Sequence, residues 1–300
     1  MGPGIAQIFA QAGHEAELVD IDEKALRKGI DLVKSNLQFF VDTGILSNGR
    51  REQTLKRITS SNDLVSSIKS AGLIIEAVPE NLDLKKSIFS KLEAFAPPDA
   101  ILTSNTSSLS ITEVAGSMKD PTRVVGTHFL NPPHLVRIVE IVVGKESSPE
   151  VVNEVVRLLS ECGKKPVRVK DVPGFVHNRL ICALMREAMS MAASDIASVE
   201  SIDTIVKEAF GPRFPLTGIF GLEDNVGLDV LRDVCNQVLP SLDNSHEVNS
   251  WLTDKIAKGN LGVKSGRGFY EWSGDRASTM RQELTKNFVN VLKENRESDK

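Results

Sequence analysis

Met1-Gly2-Pro3-Gly4-Ile5-Ala6-Gln7 opens the chain and decides how the rest is read. An amphipathic helical pattern continues from it to a turn at Gly13, and a short apolar strand then ends at Asp20. This order matches the last part of a G-x-G-x-x-G turn, with Gly2 in the place of the third glycine. The acid Asp20 lies about 20 residues beyond the position that the first glycine of the motif would occupy. The stretch therefore predicts a dinucleotide site: the helix start at Gly2 faces the phosphates and Asp20 binds the adenosine ribose. A carboxylate at that position repels a 2′-phosphate, which favours NAD over NADP.

Two parts of this fingerprint are not in the sequence, namely the apolar strand before the turn and its first two glycines. We expect both to precede Met1 in a longer form of the protein. Taken alone, Asp20 also fits a plain strand-end turn and Gly2 a flexible terminus, so the dinucleotide interpretation depends on the rest of the chain.

The composition narrows the class of protein. The chain has 300 residues, 41% of them hydrophobic, which suits two domains with a sizeable core. A net charge of −4 gives no general attraction to nucleic acid or to an anionic membrane, and we expect neither as a partner. The three cysteines are scattered, show no metal or disulfide spacing, and fit a cytoplasmic protein. No apolar run approaches the roughly 20 residues of a membrane span.

Short apolar strands alternate with helices up to Val172-Pro173-Gly174, and the strand signal then ends. Alternation of this kind predicts an α/β Rossmann domain over residues 1–172, a doubly wound parallel sheet that lacks its first strand. The paired helices between Glu23 and Ile58 are too long for a plain crossover and predict an inserted helical hairpin. Residues 173–300 predict an all-α domain. The predicted strands are 16–20, 73–78, 101–104, 124–128, 138–143 and 167–169.

Polar residues lie in or directly after three of these strands. Ser104-Asn105-Thr106-Ser107-Ser108 comes after one, His128-Phe129-Leu130-Asn131 after another, and Glu140 lies in the next. Ligands of a doubly wound sheet bind beyond the carboxyl ends of its strands, so these side chains are expected in one site. A lone histidine is more often structural, but Glu140 can orient the His128 ring and leave its other nitrogen free to exchange a proton.

The chain resembles the L-3-hydroxyacyl-CoA dehydrogenase family over essentially its full length. The motifs that carry the resemblance, in this order, are Met1-Gly2-Pro3-Gly4-Ile5-Ala6, Glu76-Ala77-Val78-Pro79-Glu80-Asn81-Leu82, Ser104-Asn105-Thr106-Ser107-Ser108, His128-Phe129-Leu130-Asn131-Pro132-Pro133, Pro173-Gly174-Phe175 with Asn178-Arg179-Leu180, and Lys264-Ser265-Gly266-Arg267-Gly268-Phe269-Tyr270. The resemblance implies NAD-dependent oxidation of a 3-hydroxyl group and a helical C-terminal domain that forms a homodimer.

The same resemblance implies roles for single residues. It makes His128 the catalytic base and Glu140 the residue that orients it. It places Ser107, Asn131 and Asn178 in contact with substrate, and it places Asp20, Glu80, Lys85 and Asn105 in contact with the dinucleotide, beside Gly2.

Several of these residues also have a plainer interpretation. Glu80 suits a first-turn acid of the helix that starts near Asn81, and Lys85 suits a solvated helix face. Ser107 suits an N-cap of the following helix, and Asn178 suits a hydrogen bond within the interdomain turn.

The substrate is left open between two classes. The motif set favours an acyl-CoA, and the basic residues Arg50, Arg51, Lys56 and Arg57 of the hairpin can meet nucleotide phosphates. Arg213 stands where an uncharged residue is expected in an acyl-CoA enzyme, and it can bind a free carboxylate in a bidentate manner. The alternative is therefore a small free hydroxy acid of the L-gulonate or carnitine type. An inactive, NAD-binding structural protein is a third alternative, which the intact His128/Glu140 pair disfavours.

Overall fold

The computed structural model describes residues 1–298, with side chains up to Lys293. The chain divides into two units. The first contains Met1–Arg179 together with the residues from Glu283 onward, and the second contains Leu180–Gln282. This division differs from the predicted boundary at residue 172, because Phe175 and Val289 are both buried in hydrophobic clusters of the first unit.

Seven strands form the β-structure of the first unit. They are β1 (Ala16–Val19), β2 (Ile58–Ser61), β3 (Leu73–Glu76), β4 (Ile101–Ser104), β5 (Val124–Phe129), β6 (Ile138–Val143) and β7 (Lys165–Lys170). β1 and β2 pair in parallel as a sheet of two strands, and the other five form a sheet in the order β3-β4-β5-β6-β7. In the described residues no strand pairing joins the two sheets.

β3, β4 and β5 run parallel, whereas β6 pairs antiparallel with β5 and parallel with β7. The change of direction follows from the length of the connection between β5 and β6. Only the eight residues 130–137 join them, and a crossover to a parallel neighbour needs about a dozen or more. The α/β fold class is confirmed, with this antiparallel pair as an addition that matters for the site.

In the described residues one helix precedes the strands, α1 (Gly2–Ala12), and six α-helices connect them: α2 (Glu23–Asp42), α3 (Asn48–Lys56), α4 (Leu64–Ile68), α5 (Leu82–Phe95), α6 (Ile111–Ala115) and α7 (Pro149–Glu161). α2 and α3 form the predicted helical hairpin, which joins β1 to β2. Strand β2 was not predicted, because Ile58-Thr59-Ser60-Ser61 has a single apolar residue and three polar ones.

Three hydrophobic clusters form the core of the first unit. One packs α1 and α7 against the sheet, one packs α5 and α6 against it, and the third fills the hairpin. The third cluster includes Val33, Leu37 and Phe40 of α2 and is closed by Val289. The far end of the chain thus returns to the first unit.

The second unit is all helical. It holds most of α8 (His177–Ala193), then α9 (Val199–Ile205), α10 (Phe214–Val226), α11 (Leu228–Val238), α12 (Ser250–Ala257) and the beginning of α13 (Arg276–Ser298). None of the residues Leu180–Gln282 is buried. Throughout the described part of the chain, no helix combines the length and the apolar composition of a membrane-crossing segment.

Candidate active site

His128 and Glu140 face each other across the antiparallel pair β5–β6. The strand register places them directly opposite each other, and the His128 Nδ1 lies 2.8 Å from the Glu140 Oε2. Both residues are only 4% exposed. The eight-residue turn after β5 therefore does more than reverse the chain, because it brings onto one face the two residues that sequence reasoning had paired.

The second oxygen of Glu140 is held by the main chain. Its Oε1 accepts hydrogen bonds of 2.9 Å from the N–H groups of Val176 and His177, at the start of α8. The chain reaches this position through two left-handed residues, Gly174 (φ 77°) and Phe175 (φ 50°). A left-handed backbone is rare for a bulky residue and costs roughly 1–2 kcal/mol, so the surrounding structure must hold Phe175 in place. Its ring is fully buried and lies 5.6 Å from the His128 ring.

This arrangement determines which nitrogen of His128 can react. When Nδ1–H donates to Glu140, the Nε2 of His128 is left with its lone pair and can take up a proton. Glu140 in turn is fixed by three donors and cannot rotate away. A carboxylate in this position also stabilises the imidazolium that proton uptake creates.

Glu80 organises the loop after β4. Its Oε1 accepts hydrogen bonds from the Thr106 hydroxyl (2.6 Å), from the Ser107 and Ser108 amides (3.0 Å each) and from the Ser108 hydroxyl (3.0 Å). Burial raises the pKa of Glu80, but these hydrogen bonds and the charge of Lys85 outweigh it and hold the pKa below its ordinary value of 4.5. The interpretation of Glu80 as a simple first-turn acid misses this role, since its carboxylate binds a different loop.

Lys85 points inward and pairs with Glu76, a residue that the sequence reasoning left without a role. Lys85 Nζ lies 2.8 and 3.0 Å from the two Glu76 carboxylate oxygens and 3.4 Å from Glu80 Oε2. The Lys85 and Glu76 side chains are each 1% exposed. The interpretation of Lys85 as part of a solvated helix face was therefore wrong. Its ammonium is buried against the carboxylates of Glu76 and Glu80, the second of which is itself a predicted dinucleotide contact. The signal for Glu76 was present in the sequence: a charged residue directly follows Leu73-Ile74-Ile75 in a predicted strand.

Asn105, Ser107 and Asn178 lie around the same loop. Asn105 Oδ1 accepts a hydrogen bond of 3.0 Å from the Phe129 amide at the end of β5, which leaves the Asn105 NH₂ group to donate to a ligand. Asn178 Nδ2 donates to the Ser107 carbonyl (2.7 Å). The Ser107 hydroxyl has no protein partner within residues 1–298, and its side chain is exposed.

Ser107 does not cap the following helix, so that interpretation was wrong. The N-cap of α6 is Ser110, whose hydroxyl also donates to Asp171 Oδ2 (2.7 Å). Asp171 additionally receives the amides of Ile111 and Thr112. The loop after β4 is thus anchored at both ends, by Glu80 before it and by Asp171 after it, and Ser107 is free for another role.

Asp20 and Gly2, which are expected to hold the dinucleotide, lie after β1 and at the start of α1. Asp20 follows β1 and is exposed; its Oδ1 accepts from the Asp22 amide (2.9 Å), and its Oδ2 has no protein partner in the described chain. Gly2 is the first residue of α1 and leaves the helix start without side-chain bulk. The helix α1 packs tightly against the β5–β6 connection at Gly4, where a Cβ atom would lie 2.6 Å from Pro133 Cγ.

Two predicted substrate residues, Asn131 and Arg213, lie outside the hydrogen-bond network described for His128 and Glu140. Asn131 is exposed in the β5–β6 connection, next to a cis peptide bond with Pro132. Arg213 belongs to the second unit, where it is exposed and precedes α10. Among the described residues no group of three or more His, Cys, Asp or Glu residues could hold a metal ion.

The comparisons with known proteins agree with the motifs. The 3-hydroxyacyl-CoA dehydrogenase NAD binding domain matches residues 1–172, and the C-terminal domain of the same family matches residues 174–272. A 3-hydroxyadipyl-CoA dehydrogenase of Escherichia coli is 36% identical over 301 residues; the alignment covers 100% of this chain but only 62% of that protein. A probable 3-hydroxybutyryl-CoA dehydrogenase of Bacillus subtilis is 35% identical over 273 residues, which is 91% of this chain and 94% of that protein.

Solved structures support the same assignment. A 5-formyl-3-hydroxy-2-methylpyridine 4-carboxylic acid 5-dehydrogenase, described as NAD⁺-dependent, matches with a TM-score of 0.89 at 29% identity, covering 97% of this chain and 94% of that one. The (S)-3-hydroxybutyryl-CoA dehydrogenase of Ralstonia eutropha matches with a TM-score of 0.77 at 35% identity, covering 91% and 96%. With both domains of one family matched in order and the paired histidine and glutamate in place, the chain belongs to the 3-hydroxyacyl-CoA dehydrogenase family of NAD-dependent oxidoreductases.

Proposed function

We propose that the chain interconverts an L-3-hydroxyacyl-CoA and a 3-oxoacyl-CoA, as an enzyme of fatty-acid β-oxidation does. The observation that carries the proposal is the buried contact of 2.8 Å between His128 Nδ1 and Glu140 Oε2. It supplies an oriented general base beside the loop of Asn105 and Ser107, at the edge of the sheet where a ligand of this fold binds.

In the proposed reaction His128 Nε2 removes the proton from the 3-hydroxyl of the substrate. NAD supplies the acceptor for the hydride that leaves the same carbon. Glu140 stabilises the imidazolium, and the Ser107 hydroxyl donates a hydrogen bond to the substrate oxygen. Asn178 holds the Ser107 carbonyl in place. Asn131, which is exposed and lies outside the His128/Glu140 network, would serve as a further polar contact for the substrate. In the reverse direction the His128 imidazolium protonates the developing alkoxide.

For the cofactor, we propose that Gly2 gives the pyrophosphate access to the start of α1 and that Asp20 binds the adenosine ribose. Asn105 and Glu80 would hold the nicotinamide end, and Lys85 would contribute through Glu80. The support is the unpartnered Asp20 Oδ2 and the Asn105 NH₂ group that no protein acceptor occupies among the described residues.

The test of the proposed function is His128→Gln. A positioned general base contributes roughly 10²–10⁴-fold to the rate, so reduction of acetoacetyl-CoA by NADH should slow by at least about a hundredfold while NAD binding is retained. The matched control is His246→Gln, which removes an exposed histidine of the second unit. A loss of less than about tenfold in His128→Gln would show that His128 is not the base.

A second candidate substrate is a small hydroxy compound that bears a free carboxylate. The TM-score of 0.89 with a dehydrogenase of a pyridine carboxylate favours it, and Arg213 is exposed and can bind a carboxylate. If this is the substrate class, Arg213→Met should raise the KM for free hydroxy acids such as gulonate or carnitine by at least about tenfold, as the loss of a charge-assisted pair predicts. If acetoacetyl-CoA is turned over and Arg213→Met leaves its KM unchanged, the acyl-CoA assignment stands.

We also propose that the chain forms a homodimer through its second unit and resides in the cytoplasm. The support for a dimer is that the second unit buries none of its residues, while large apolar side chains such as Leu216, Phe220 and Leu228 are left exposed, Phe220 to 87%. Large exposed apolar side chains of this kind favour burial against a second copy of the chain. Light scattering should give twice the chain mass of 32.8 kDa, and Phe220→Glu should shift it toward the monomer; a wild-type monomer would contradict the proposal. Three free cysteines are consistent with a reducing compartment.

A further inference from the structure

A second histidine lies beside the proposed base. The rings of His128 and His177 have their centroids 6.4 Å apart. The two differ in access to solvent, since His128 is 4% exposed whereas His177 is exposed. The position of His177 is well defined, because its own amide donates to Glu140 Oε1 at 2.9 Å.

The base needs an outlet for protons. Each oxidation of an alcohol leaves one proton on His128, and that proton must reach solvent before the next turnover. Glu140 is a poor route, because it is 4% exposed and its two oxygens already accept from the His128 ring and from two main-chain amides. On another side of the ring lies Phe175, a buried hydrocarbon. His177 has a titratable side chain whose ring neighbours the His128 ring, and it is exposed to solvent.

We infer that His177 relays the proton between His128 and solvent. The inference rests on the proposed role of His128 as the base. Imidazole suits a relay because one ring nitrogen can accept a proton while the other releases one near neutral pH. The separation of the rings suits transfer through one water molecule, which hydrogen-bonds at about 2.8–2.9 Å on each side.

The step conserves every proton. The His128 imidazolium gives its Nε2 proton to the bridging water, which passes a proton to the lone pair of a His177 nitrogen. His177 then releases the proton from its other nitrogen to bulk solvent, and both rings return to the neutral form. During reduction of a carbonyl the same path runs in reverse and delivers one proton to His128. No oxidant or reductant takes part in the relay.

The experiment compares two signals in a single turnover of a 3-hydroxyacyl-CoA: NADH absorbance and the release of protons to a pH-indicator dye. In the wild-type protein the two should appear together. In His177→Gln, the rate constant of proton release should be about tenfold lower than that of NADH formation, because water replaces the relay only in part. This effect is well below the 10²–10⁴-fold contribution of the base itself. Added imidazole should remove the lag in the variant and leave the wild type unchanged.

The matched control is Val176→Ala. Val176 is half-exposed, adjoins His177 and makes the same main-chain hydrogen bond to Glu140, which survives in both variants. A lag in Val176→Ala as large as that in His177→Gln would mean a structural effect and would overturn the relay. Simultaneous proton release in His177→Gln, or a lag that imidazole does not shorten, would also overturn it and leave the proposed function intact. A wild-type protein that forms no NADH from any 3-hydroxyacyl-CoA would instead contradict the proposed function.

Discussion

Removing the ammonium of Lys85 should destabilise the first unit by about 3 kcal/mol. In the wild type this group lies 2.8 and 3.0 Å from the two oxygens of Glu76, and both side chains are 1% exposed. Lys85→Met keeps most of the side-chain volume and removes the charge. Among the described residues, the side chain of Glu76 then keeps the Ser104 hydroxyl and the Val78 amide as donors, each at 2.6 Å.

The magnitude follows from the partner that is left behind. Breaking a buried ion pair by removing one member costs about 3–5 kcal/mol, because the other charge is left uncompensated. The two remaining hydrogen bonds to Glu76 place the expected loss at the lower end of that range. The double variant Glu76→Gln/Lys85→Met leaves no buried charge, and replacing a whole pair is often nearly neutral. It should therefore be more stable than Lys85→Met alone.

The assay must report on the first unit. Both tryptophans and the single tyrosine are Trp251, Trp272 and Tyr270, all in the second unit, so intrinsic fluorescence would follow the wrong part of the chain. Hydrogen exchange of the β3 and β4 amides, read by mass spectrometry, measures the relevant opening free energy. If Lys85→Met changes it by less than about 1 kcal/mol, or if the double variant is the less stable one, then the buried-pair argument is refuted.

Three further predictions concern single residues. Asp20 should give NAD a higher kcat/KM than NADP, since its carboxylate repels a 2′-phosphate; equal efficiencies in steady-state kinetics would refute the assignment. Gly4→Ala should cost about 1–3 kcal/mol in urea unfolding, as overpacking does, because the new Cβ would lie 2.6 Å from Pro133 Cγ; an unchanged midpoint would contradict this. Burial lowers the pKa of Lys164 from 10.5 to about 8. The unfolded chain therefore binds more protons between pH 8 and 10.5, and the contribution of Lys164 to stability should rise with pH across that window and level off above it. Lys164→Met should lose this rise, and urea titrations of both proteins at pH 7.5 and 10 would show it; equal pH dependence would contradict the assignment.

Much of the first unit was predictable because its local signals agree with its tertiary structure. Strands β4 and β6 have the predicted bounds, because each is a short segment that starts with apolar residues and packs in the core. His128 and Glu140 were paired from the sequence because both belong to neighbouring strands and have complementary chemistry. The antiparallel direction of β6 follows from the short connection between β5 and β6. The composition of the strands does not show this direction.

Other features depended on contacts between distant residues. Strand β2 has a polar sequence and exists because it pairs with β1. The inward position of Lys85 depends on Glu76, nine residues earlier at the end of a strand, so a helical pattern on α5 could not reveal it. The position of α13 in the first unit likewise depends on the packing of Val289 with Val33, Leu37 and Phe40 in one hydrophobic cluster.

The contact between Gly4 and Pro133 has a consequence for engineering the enzyme. Gly4 belongs to the helix expected to face the cofactor, and Pro133 belongs to the connection that leads from His128 to Glu140. Lys164 Nζ donates hydrogen bonds to the same connection, at 2.5 Å to the Pro133 carbonyl and 2.8 Å to the Val136 carbonyl. A redesign of the helix start to accept a different dinucleotide would therefore shift the segment that sets the spacing of the proton-transfer pair. Cofactor preference and turnover should be optimised together, with compensating changes at Pro133, because neither can be tuned in isolation.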